Sequence, residues 1–347
     1  MDSYVEHLVK EVEFMAGQYA GQKLDTLYLG GGSPSLLSKE QLDRVLGAID
    51  KHFTFRSDPE WTIECNPDDL SPDYLDALQN RGFNRISIGI QSFDQGDLEL
   101  MRRSHHARQA HQSVLDAASA GFRNITMDLI YGIPGQLPET WEQNISTALS
   151  LPVSHISAYH LTFEPGTVFD HWRKKGRLVP VHEEESVAFY RVLRERLTGA
   201  GYDHYEISNF ALKGRMSEHN LLYWSGRPYL GFGPSAHSFD GTQRRWNVSK
   251  LQGYMNGVDV GVGFSQSEDL SLEERYHDYL ITSMRTRWGA DPWKISEQFG
   301  EKLLGHFKQK SESFLEEGTL WHRDGKVAIH PDHWLITDHI LRELFVD

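Results

Sequence analysis

Three consecutive glycines, Gly30 to Gly32, follow the apolar run Leu27-Tyr28-Leu29 and lead into Ser33-Pro34-Ser35. Residues without a Cβ atom let a ligand approach the backbone closely and free peptide N–H groups to bind it. A glycine cluster after a strand is also typical of a tight turn that binds nothing. The residues that end the other strands therefore decide between the two interpretations.

Polar side chains also end the apolar runs that follow. They are Glu64, Gln91, Asp128, Tyr159 and His160. The period of two along a strand places Asp128 on the face opposite Met127 and Leu129. Because α/β sheets bind ligands beyond the carboxyl ends of their strands, we expect these side chains to converge on one mouth. Such a mouth suits ribose hydroxyls and an ammonium group, since carboxylates accept hydrogen bonds and glutamine both donates and accepts them.

Several charged residues have two interpretations. The Arg103 guanidinium could clamp a ligand carboxylate at the same mouth, or it could be a solvated side chain beside Arg102. A single strand-end carboxylate is equally compatible with a helix cap or a salt bridge. The histidines at 105–106 and at 330 and 333 lack a third ligand at a metal-binding spacing, and we interpret them as surface residues.

The composition narrows the class of protein. The 347 residues include 35 Lys and Arg against 49 Asp and Glu, a formal net charge of −14, which argues against a nucleic-acid partner because such partners require a basic face. No apolar run approaches the roughly 18 residues of a membrane span. The single cysteine excludes a disulfide framework within the chain and is typical of a reducing compartment. We therefore predict a cytoplasmic protein that binds small molecules or other proteins.

Apolar runs and amphipathic stretches alternate along the first part of the chain. The predicted strands end near Leu29, Ile63, Ile90, Ile130, Tyr159 and Tyr205. The predicted helices cover 38–50, 71–80, 108–120, 138–149 and 183–199. Strand-to-strand steps of about 30–45 residues match a βα unit, so we predict an α/β fold with a parallel sheet, open or closed into a barrel.

The pattern changes near residue 206. Residues 207–260 are rich in Gly, Asn, Tyr and Trp and predict loops with short strands. Helices at 272–286, 292–299, 302–317 and 337–345, with a hairpin at 318–321 and 326–329, predict a small α+β domain that resembles a winged helix. We therefore divide the chain into a barrel at 1–206, a segment that caps the barrel at 207–265, and a C-terminal domain at 266–347.

Five motifs occur in an order and spacing that match a known family. They are GGGSPS at 30–35, IECNP at 63–67, SIGIQSF at 87–93, MDLIYGIPGQ at 127–136 and YLGFGPSAHS at 229–238. The chain resembles the radical S-adenosylmethionine (radical SAM) proteins related to oxygen-independent coproporphyrinogen III oxidase, and within them a branch of haem chaperones. The resemblance implies a partial (β/α)6 barrel that binds S-adenosylmethionine at its mouth.

The resemblance also implies which residues bind S-adenosylmethionine. Matching residues at the glycine loop and the second strand are Gly30, Gly31, Gly32, Ser33 and Glu64. Gln91, Arg103 and Asp128 match residues that hold its ribose, its carboxylate or a second copy of it. Ala158 and His237 also occupy matching positions.

The HNLLYW run at 219–224 matches a pattern that the resemblance links to haem. An imidazole such as that of His219 can ligate iron, and two aromatic rings such as those of Tyr223 and Trp224 can cover a porphyrin face. The alternative is a structural histidine beside two core aromatics. The implied partners are haem and haem-accepting proteins, and a homodimer and peripheral membrane association through acceptors are compatible with this interpretation.

The resemblance also implies a [4Fe–4S] cluster, held by three cysteines in a CxxxCxxC loop after the first strand. The only cysteine is Cys65, between Glu64 and Asn66, and we interpret it as a small buried residue. We expect the first strand and its cysteines to lie before Met1, which would make this chain a truncated form. The alternative is a natural variant that has lost its cluster. This chain should therefore bind no cluster and cleave no S-adenosylmethionine, and strand 26–29 should be an unpaired edge that lowers stability and favours association.

Three hypotheses follow. The first is a haem chaperone, favoured by the HNLLYW run at 219–224. The second is an oxidase that decarboxylates two propionate side chains of coproporphyrinogen III. The third is an unrelated barrel with a nucleotide-like ligand, and it requires that the GGGSPS, IECNP and SIGIQSF segments do not share one pocket.

Overall fold

The computed structural model describes residues 1–19 and 21–346, and its main feature is a seven-stranded sheet with the order β1-β2-β3-β4-β5-β7-β6. The strands are β1 Lys23–Leu29, β2 Thr54–Cys65, β3 Arg85–Gln91, β4 Asn124–Tyr131, β5 His155–His160, β6 Asp203–Glu206 and β7 Asn209–Ala211. Strands β2 to β5 pair in parallel, and β7 and β6 complete the sheet in antiparallel pairs. The predicted parallel α/β sheet is confirmed, and β1 lies at its edge.

The two faces of the central strands differ in chemistry. One face is apolar and fully buried, with residues such as Ile63, Ile86, Ile88, Met127 and Ile156. The period of two places polar residues on the other face; they are Glu64, Arg85, Ser87, Thr126, Asp128, His155 and Ser157. We call this second set the polar face. Strands covered on both faces by helices usually read as continuous apolar runs, so this alternation marks a face with another use.

Helices connect the strands. They are α2 Lys39–His52, α3 Pro72–Asn80, α4 Gln95–Leu100, α5 Ala107–Ser119, α6 Pro138–Ser150, α7 Val168–Lys174 and α8 Glu183–Gly199. The Ser38 side chain accepts a hydrogen bond from the Gln41 N–H and caps α2, and Ser71 caps α3 in the same way. Five of the seven were predicted from such caps and from periodicity. Helices α4 and α7 have only six and seven residues, too few to show a helical period.

The described residues form two compact units. One contains Met1–Asp25, Leu37–Pro59 and Glu218–Asp347, and the other contains Thr26–Leu36 and Glu60–Ser217. The second unit carries the polar face of the sheet. The division of the chain at 206 and 265 stays a prediction.

In the first unit, α1 Asp2–Ala16 packs against α2 and against α10 Leu251–Val260. A three-stranded antiparallel sheet consists of β8 His237–Phe239, β9 Gln243–Asn247 and β10 Ser265–Asp269. The expectation of loops and short strands over 207–260 was therefore wrong at α10 and at α9 Glu218–Trp224. Gly257 favoured a loop prediction for α10. In the structure this glycine allows close packing, because a Cβ there would lie 2.7 Å from the Phe264 nitrogen.

The C-terminal elements follow the sequence prediction closely. They are α11 Leu272–Met284, α12 Pro292–Phe299, α13 Glu301–Glu316, β11 Leu320–Arg323, β12 Lys326–Ile329 and α14 Thr337–Leu344. Strands β11 and β12 form an antiparallel hairpin. Within the described ranges, the helices are too short or too polar for any of them to cross a bilayer.

Candidate functional site

The glycine loop is built around the carboxylate of Glu64. The Gly31 N–H donates to Glu64 Oε2 at 2.9 Å, and the Tyr28 hydroxyl donates to Oε1 at 2.6 Å. Gly31 has a φ of +87°, which favours glycine, and a Cβ at Gly30 would overlap the Tyr28 ring and lie 2.8 Å from the Glu64 carboxyl carbon. The ends of β1 and β2 therefore form one joined surface.

The residues after the glycines are tied to the loop that follows β2. The Ser35 hydroxyl donates to Asp69 Oδ2 at 2.5 Å and accepts from the Asn66 N–H at 3.3 Å. Asn66 Nδ2 also donates to Ser33 Oγ at 3.4 Å. The SPS and NP parts of the two motifs thus fix each other, which explains why serine and asparagine stand at those positions.

Asp128 lies at the centre of the polar face. The Ser87 hydroxyl lies 3.2 and 3.3 Å from its two carboxylate oxygens, and Ser157, its register partner on β5, also donates to it. The pKa of Asp128 is raised to about 6, mainly by burial and also by the nearby Glu64 charge, while the two hydroxyls and Arg85 act in the opposite direction. The carboxyl is half-buried and titrates near neutral pH.

Two tyrosines belong to the same surface. Tyr159 was predicted as a polar residue at a strand end, whereas Tyr28 was not predicted as a site residue from the sequence. Burial and the charge of Glu64 raise the pKa of Tyr28, and burial and the charge of Asp128 raise that of Tyr159. Both phenols therefore remain neutral hydrogen-bond donors. Tyr28 occurs within an apolar run, where the sequence pattern indicates a core residue. Only its position two residues before Gly30, on the same face of the strand, could have indicated that it lies beside the glycine loop.

Gln91 ends β3 in an unusual backbone conformation. Its φ is +66°, and the regular pairing of β3 with β4 breaks between Ile88 and Gln91. For a residue other than glycine, this region costs on the order of 1–3 kcal/mol and persists where surrounding contacts enforce it. The Gln91 side chain is 9% exposed.

Arg103 is exposed and electrostatically coupled to this surface. Desolvation lowers the pKa of the Arg103 guanidinium, while the carboxylates of Asp128 and Asp68 act in the opposite direction.

Ala158 lies in β5, but it does not belong to the polar face. It pairs with Leu129, its side chain is on the face opposite Asp128, and its N–H donates to the Ser208 carbonyl at 2.8 Å. The unit thus brings together the glycine loop, Glu64 and Asp128, with Arg103 in electrostatic reach.

The other predicted site residues belong to the first unit. No residue of α9 is fully buried, and Tyr223 is 48% exposed, so the aromatics of the HNLLYW run are not core residues. The Tyr223 ring contacts the rings of Trp224 and Tyr229, both at 5.4 Å between centroids. His237 is exposed, and its ring stacks on Trp246 at 6.4 Å.

The cysteine and histidine interpretations have different outcomes. Cys65 is 4% exposed and its burial raises the thiol pKa well above the ordinary value, which confirms a small buried residue. His105 is 2% exposed, and its Nε2 lies 3.1 Å from the Ile90 carbonyl oxygen, so the expectation of a surface histidine was wrong there. Burial depends on packing that two adjacent histidines in the sequence do not reveal.

The residues present do not fit a cysteine-ligated cluster. The chain contains one cysteine, and its thiol is buried and protonated. Across residues 1–19 and 21–346, no group of three or more His, Cys, Asp or Glu side chains is arranged to hold a metal ion. We therefore derive no reaction step through such a cluster.

Comparison with known proteins gives a consistent result. Residues 2–148 match the radical SAM superfamily. The chain is 34% identical to the haem chaperone HemW of Bacillus subtilis over 331 residues, which cover 95% of this chain and 87% of that protein. It is also 34% identical to HemW of Lactococcus lactis, over 88% of this chain and 80% of that protein.

A solved structure shares the fold. Coproporphyrinogen III oxidase (HemN) from Escherichia coli, a radical SAM enzyme, superposes with a TM-score of 0.85 at 24% identity, over 99% of this chain and 83% of that chain. The likeness confirms the predicted α/β partial barrel with small additional sheets toward the C-terminus. The 34% identity to two haem chaperones, over most of this chain and of each relative, shows that this chain belongs to the HemW haem chaperone family of radical SAM proteins.

Proposed function

We propose that this protein binds haem at α9 and delivers it to haem-accepting proteins. The observation that carries the proposal is the solvent-accessible aromatic surface of α9, where Tyr223 is 48% exposed beside Trp224 and next to His219. Contiguous exposed apolar surface, rather than a single exposed residue, marks ligand or partner sites, and the Tyr223 ring is contiguous with the rings of Trp224 and Tyr229. The names of the two relatives support haem as the ligand.

We further propose that the strand ends in the other unit bind S-adenosylmethionine. Its ammonium group suits the half-buried Glu64 carboxylate, and its ribose hydroxyls suit Asp128 and Gln91. Its carboxylate suits the exposed Arg103 guanidinium, and the glycine loop allows close backbone approach. The bound cofactor would supply a sulfonium-activated adenosyl group, and the residues of this chain would bind and orient it.

The same proposal includes the cellular setting. We place the protein in the cytoplasm, where its single cysteine stays reduced. Association with membranes is proposed to be peripheral and to occur through haem acceptors, and the protein is proposed to form a homodimer. Size-exclusion chromatography with light scattering would test the dimer, with a monomer at all concentrations as the contrary result.

A titration distinguishes the chaperone from the oxidase. The protein is titrated separately with haem and with coproporphyrinogen III, and binding is followed by the Soret band and by tryptophan fluorescence. We expect haem to bind at least ten-fold more tightly. Tighter binding of coproporphyrinogen III would favour the oxidase and overturn the proposal.

Variants locate the haem site. H219A and Y223A should each weaken haem binding at least ten-fold, because they remove the imidazole and the exposed ring. H322A is the matched control, since His322 is an exposed histidine in the C-terminal hairpin. Equal haem affinity in H219A and H322A would exclude His219 as a haem residue.

A further inference from the structure

The strained backbone of Gln91 adjoins a buried polar network that the site described above does not use. The chain after Gln91 is held by the side chains of Ser92, Asp97, Gln136 and Asn144, which are between 0% and 8% exposed. We call these four residues the clamp. They come from the start of the loop after β3, from α4, from the loop after β4 and from α6.

Asn144 and Ser92 fix the peptides that follow Gln91. The Phe93 N–H donates to Asn144 Oδ1 at 2.6 Å, and Asn144 Nδ2 donates to Ser92 Oγ at 3.0 Å. Ser92 Oγ also accepts from the Asp94 N–H at 3.0 Å. Two consecutive N–H groups after the strained residue are thus held by side chains.

Asp97 and Gln136 join this segment to the end of the neighbouring strand. The Ser92 hydroxyl donates to Asp97 Oδ2 at 2.7 Å, and Gln136 Nε2 donates to the same oxygen at 2.9 Å. Gln136 Oε1 in turn accepts from the Gly132 N–H at 3.1 Å. A continuous hydrogen-bonded path therefore connects the end of β3, at Gln91, to Gly132, which directly follows β4.

The same network also bears on Arg103. Asp97 lies within α4, and the Arg103 N–H donates to the carbonyl of Leu98, the next residue of that helix, at 2.9 Å. On the other side of Gln91, His105 Nε2 contacts the Ile90 carbonyl at 3.1 Å. The chain is thus fixed immediately before and immediately after Gln91.

A buried network of this kind is costly, because each polar group must find a partner away from water and burial opposes the charge of Asp97. Backbone strain that is enforced by such a network occurs mainly at functional sites.

We infer that the clamp is a positioning device that holds the strained Gln91 and orients Gln91 and Arg103 toward the adenosyl ligand. The inference rests on the proposed S-adenosylmethionine site. Ser92, Asp97, Gln136 and Asn144 would be positioning residues, since they act through Gln91 and Arg103.

The first experiment separates ligand binding from stability, with S-adenosylmethionine as the calorimetric probe and thermal unfolding as the second readout. Q91G should raise the melting temperature by about 1–3 °C, since glycine relieves the strain, and should weaken binding at least ten-fold. D324G is the matched control, because Asp324 has a φ of +50° in the C-terminal hairpin. It should also raise the melting temperature but leave binding unchanged.

The second experiment loosens the clamp while Gln91 and Arg103 stay in place. N144A should weaken binding at least ten-fold in its folded fraction and speed hydrogen exchange at Phe93 and Asp94. N144D keeps the acceptor for the Phe93 N–H but places a second carboxyl group beside Asp97, so it should recover part of the affinity that N144A loses. Wild-type affinity in folded N144A would show that the network is merely structural and would overturn the inference.

A double-mutant cycle tests the clamp without any ligand. If the clamp enforces the strain, the increase in melting temperature from Q91G should vanish in the N144A background. An undiminished increase would overturn the inference even when the wild-type protein binds well. If wild-type protein does not bind S-adenosylmethionine, the proposed site fails, and the cycle alone decides whether the clamp enforces the strain at Gln91.

Discussion

Each of the two units holds a carboxyl group whose pKa is raised, but the two groups differ in burial and in hydrogen bonding. Glu11, on α1, is 0% exposed and accepts from the Gly233 N–H, from Asn247 Nδ2 and from the Tyr254 hydroxyl, each at 2.7 Å. Asp128 is half-buried and, within the described residues, accepts from the hydroxyls of Ser87 and Ser157. Burial is the main cause of the raised pKa in both.

The difference indicates what each carboxyl group does. A carboxylate has about four acceptor positions. Glu11 uses three of them for donors of its own unit, with the Arg245 guanidinium 4.0 Å from Oε1, so it holds the loop around Gly233 in place. Within the part of the chain that the structure describes, Asp128 has two such donors, the hydroxyls of Ser87 and Ser157. We infer that the carboxyl group with three donors from its own unit stabilises the fold, whereas the one with two donors has acceptor capacity left for a ligand.

The largest expected effect concerns Glu11. E11A leaves three buried donors without their acceptor and should lower the free energy of unfolding by about 3 kcal/mol or more. Urea denaturation measures it. E13A, which removes an exposed glutamate of the same helix, should change stability by less than about 0.5 kcal/mol. If E11A and E13A both lose little stability, Glu11 does not stabilise the fold, and the contrast between Glu11 and Asp128 is wrong.

For Asp128 we expect a large effect on ligand affinity and no loss of stability. D128N should weaken S-adenosylmethionine binding at least ten-fold, about 1.4 kcal/mol, with no loss of stability at pH 7, because it removes a partly desolvated charge. Calorimetry and urea denaturation measure the two quantities. D76N, at an exposed position of α3, is the control that should alter neither. A D128N variant that is strongly destabilised but binds S-adenosylmethionine normally would show that Asp128 stabilises the fold, as Glu11 does.

The pH dependence sharpens the same comparison. The pKa of Asp128 is raised from 3.8 to about 6 in the folded state, so its contribution to stability is present at low pH and is lost as pH rises through about 6. Relative to wild type, D128N should therefore gain on the order of 2 kcal/mol in unfolding free energy between about pH 4 and 7. Denaturation at both pH values measures the gain. A constant difference between the variants would contradict the raised pKa.

Tyr28 should give the smallest effect. Y28F removes the hydroxyl that donates to Glu64 and should cost about 1 kcal/mol of stability or several-fold in S-adenosylmethionine affinity. Y19F is the control, at a half-buried tyrosine in a short turn of 3-10 helix. If Y28F and Y19F bind equally well, Glu64 does not depend on Tyr28 for its orientation.

Local patterns along the chain determined much of this protein. The period of two placed Asp128 opposite Met127, and serine caps located α2 and α3, because these properties depend on residues that are neighbours in the chain. Glu64 and Asp128 were identified because parallel strands bring polar residues near their carboxyl ends to one edge, although Asp128 lies three residues before the end of β4.

Only the tertiary structure decided the rest. Glu11 reads as an ordinary polar residue of an amphipathic helix, yet its acceptors are filled by residues more than 220 positions away. The burial of His105, the contact of Tyr28 with Glu64 and the left-handed backbone of Gln91 were equally invisible. Burial, strain and the saturation of a polar group are set by contacts between distant segments, and a one-dimensional pattern records only which face a residue occupies.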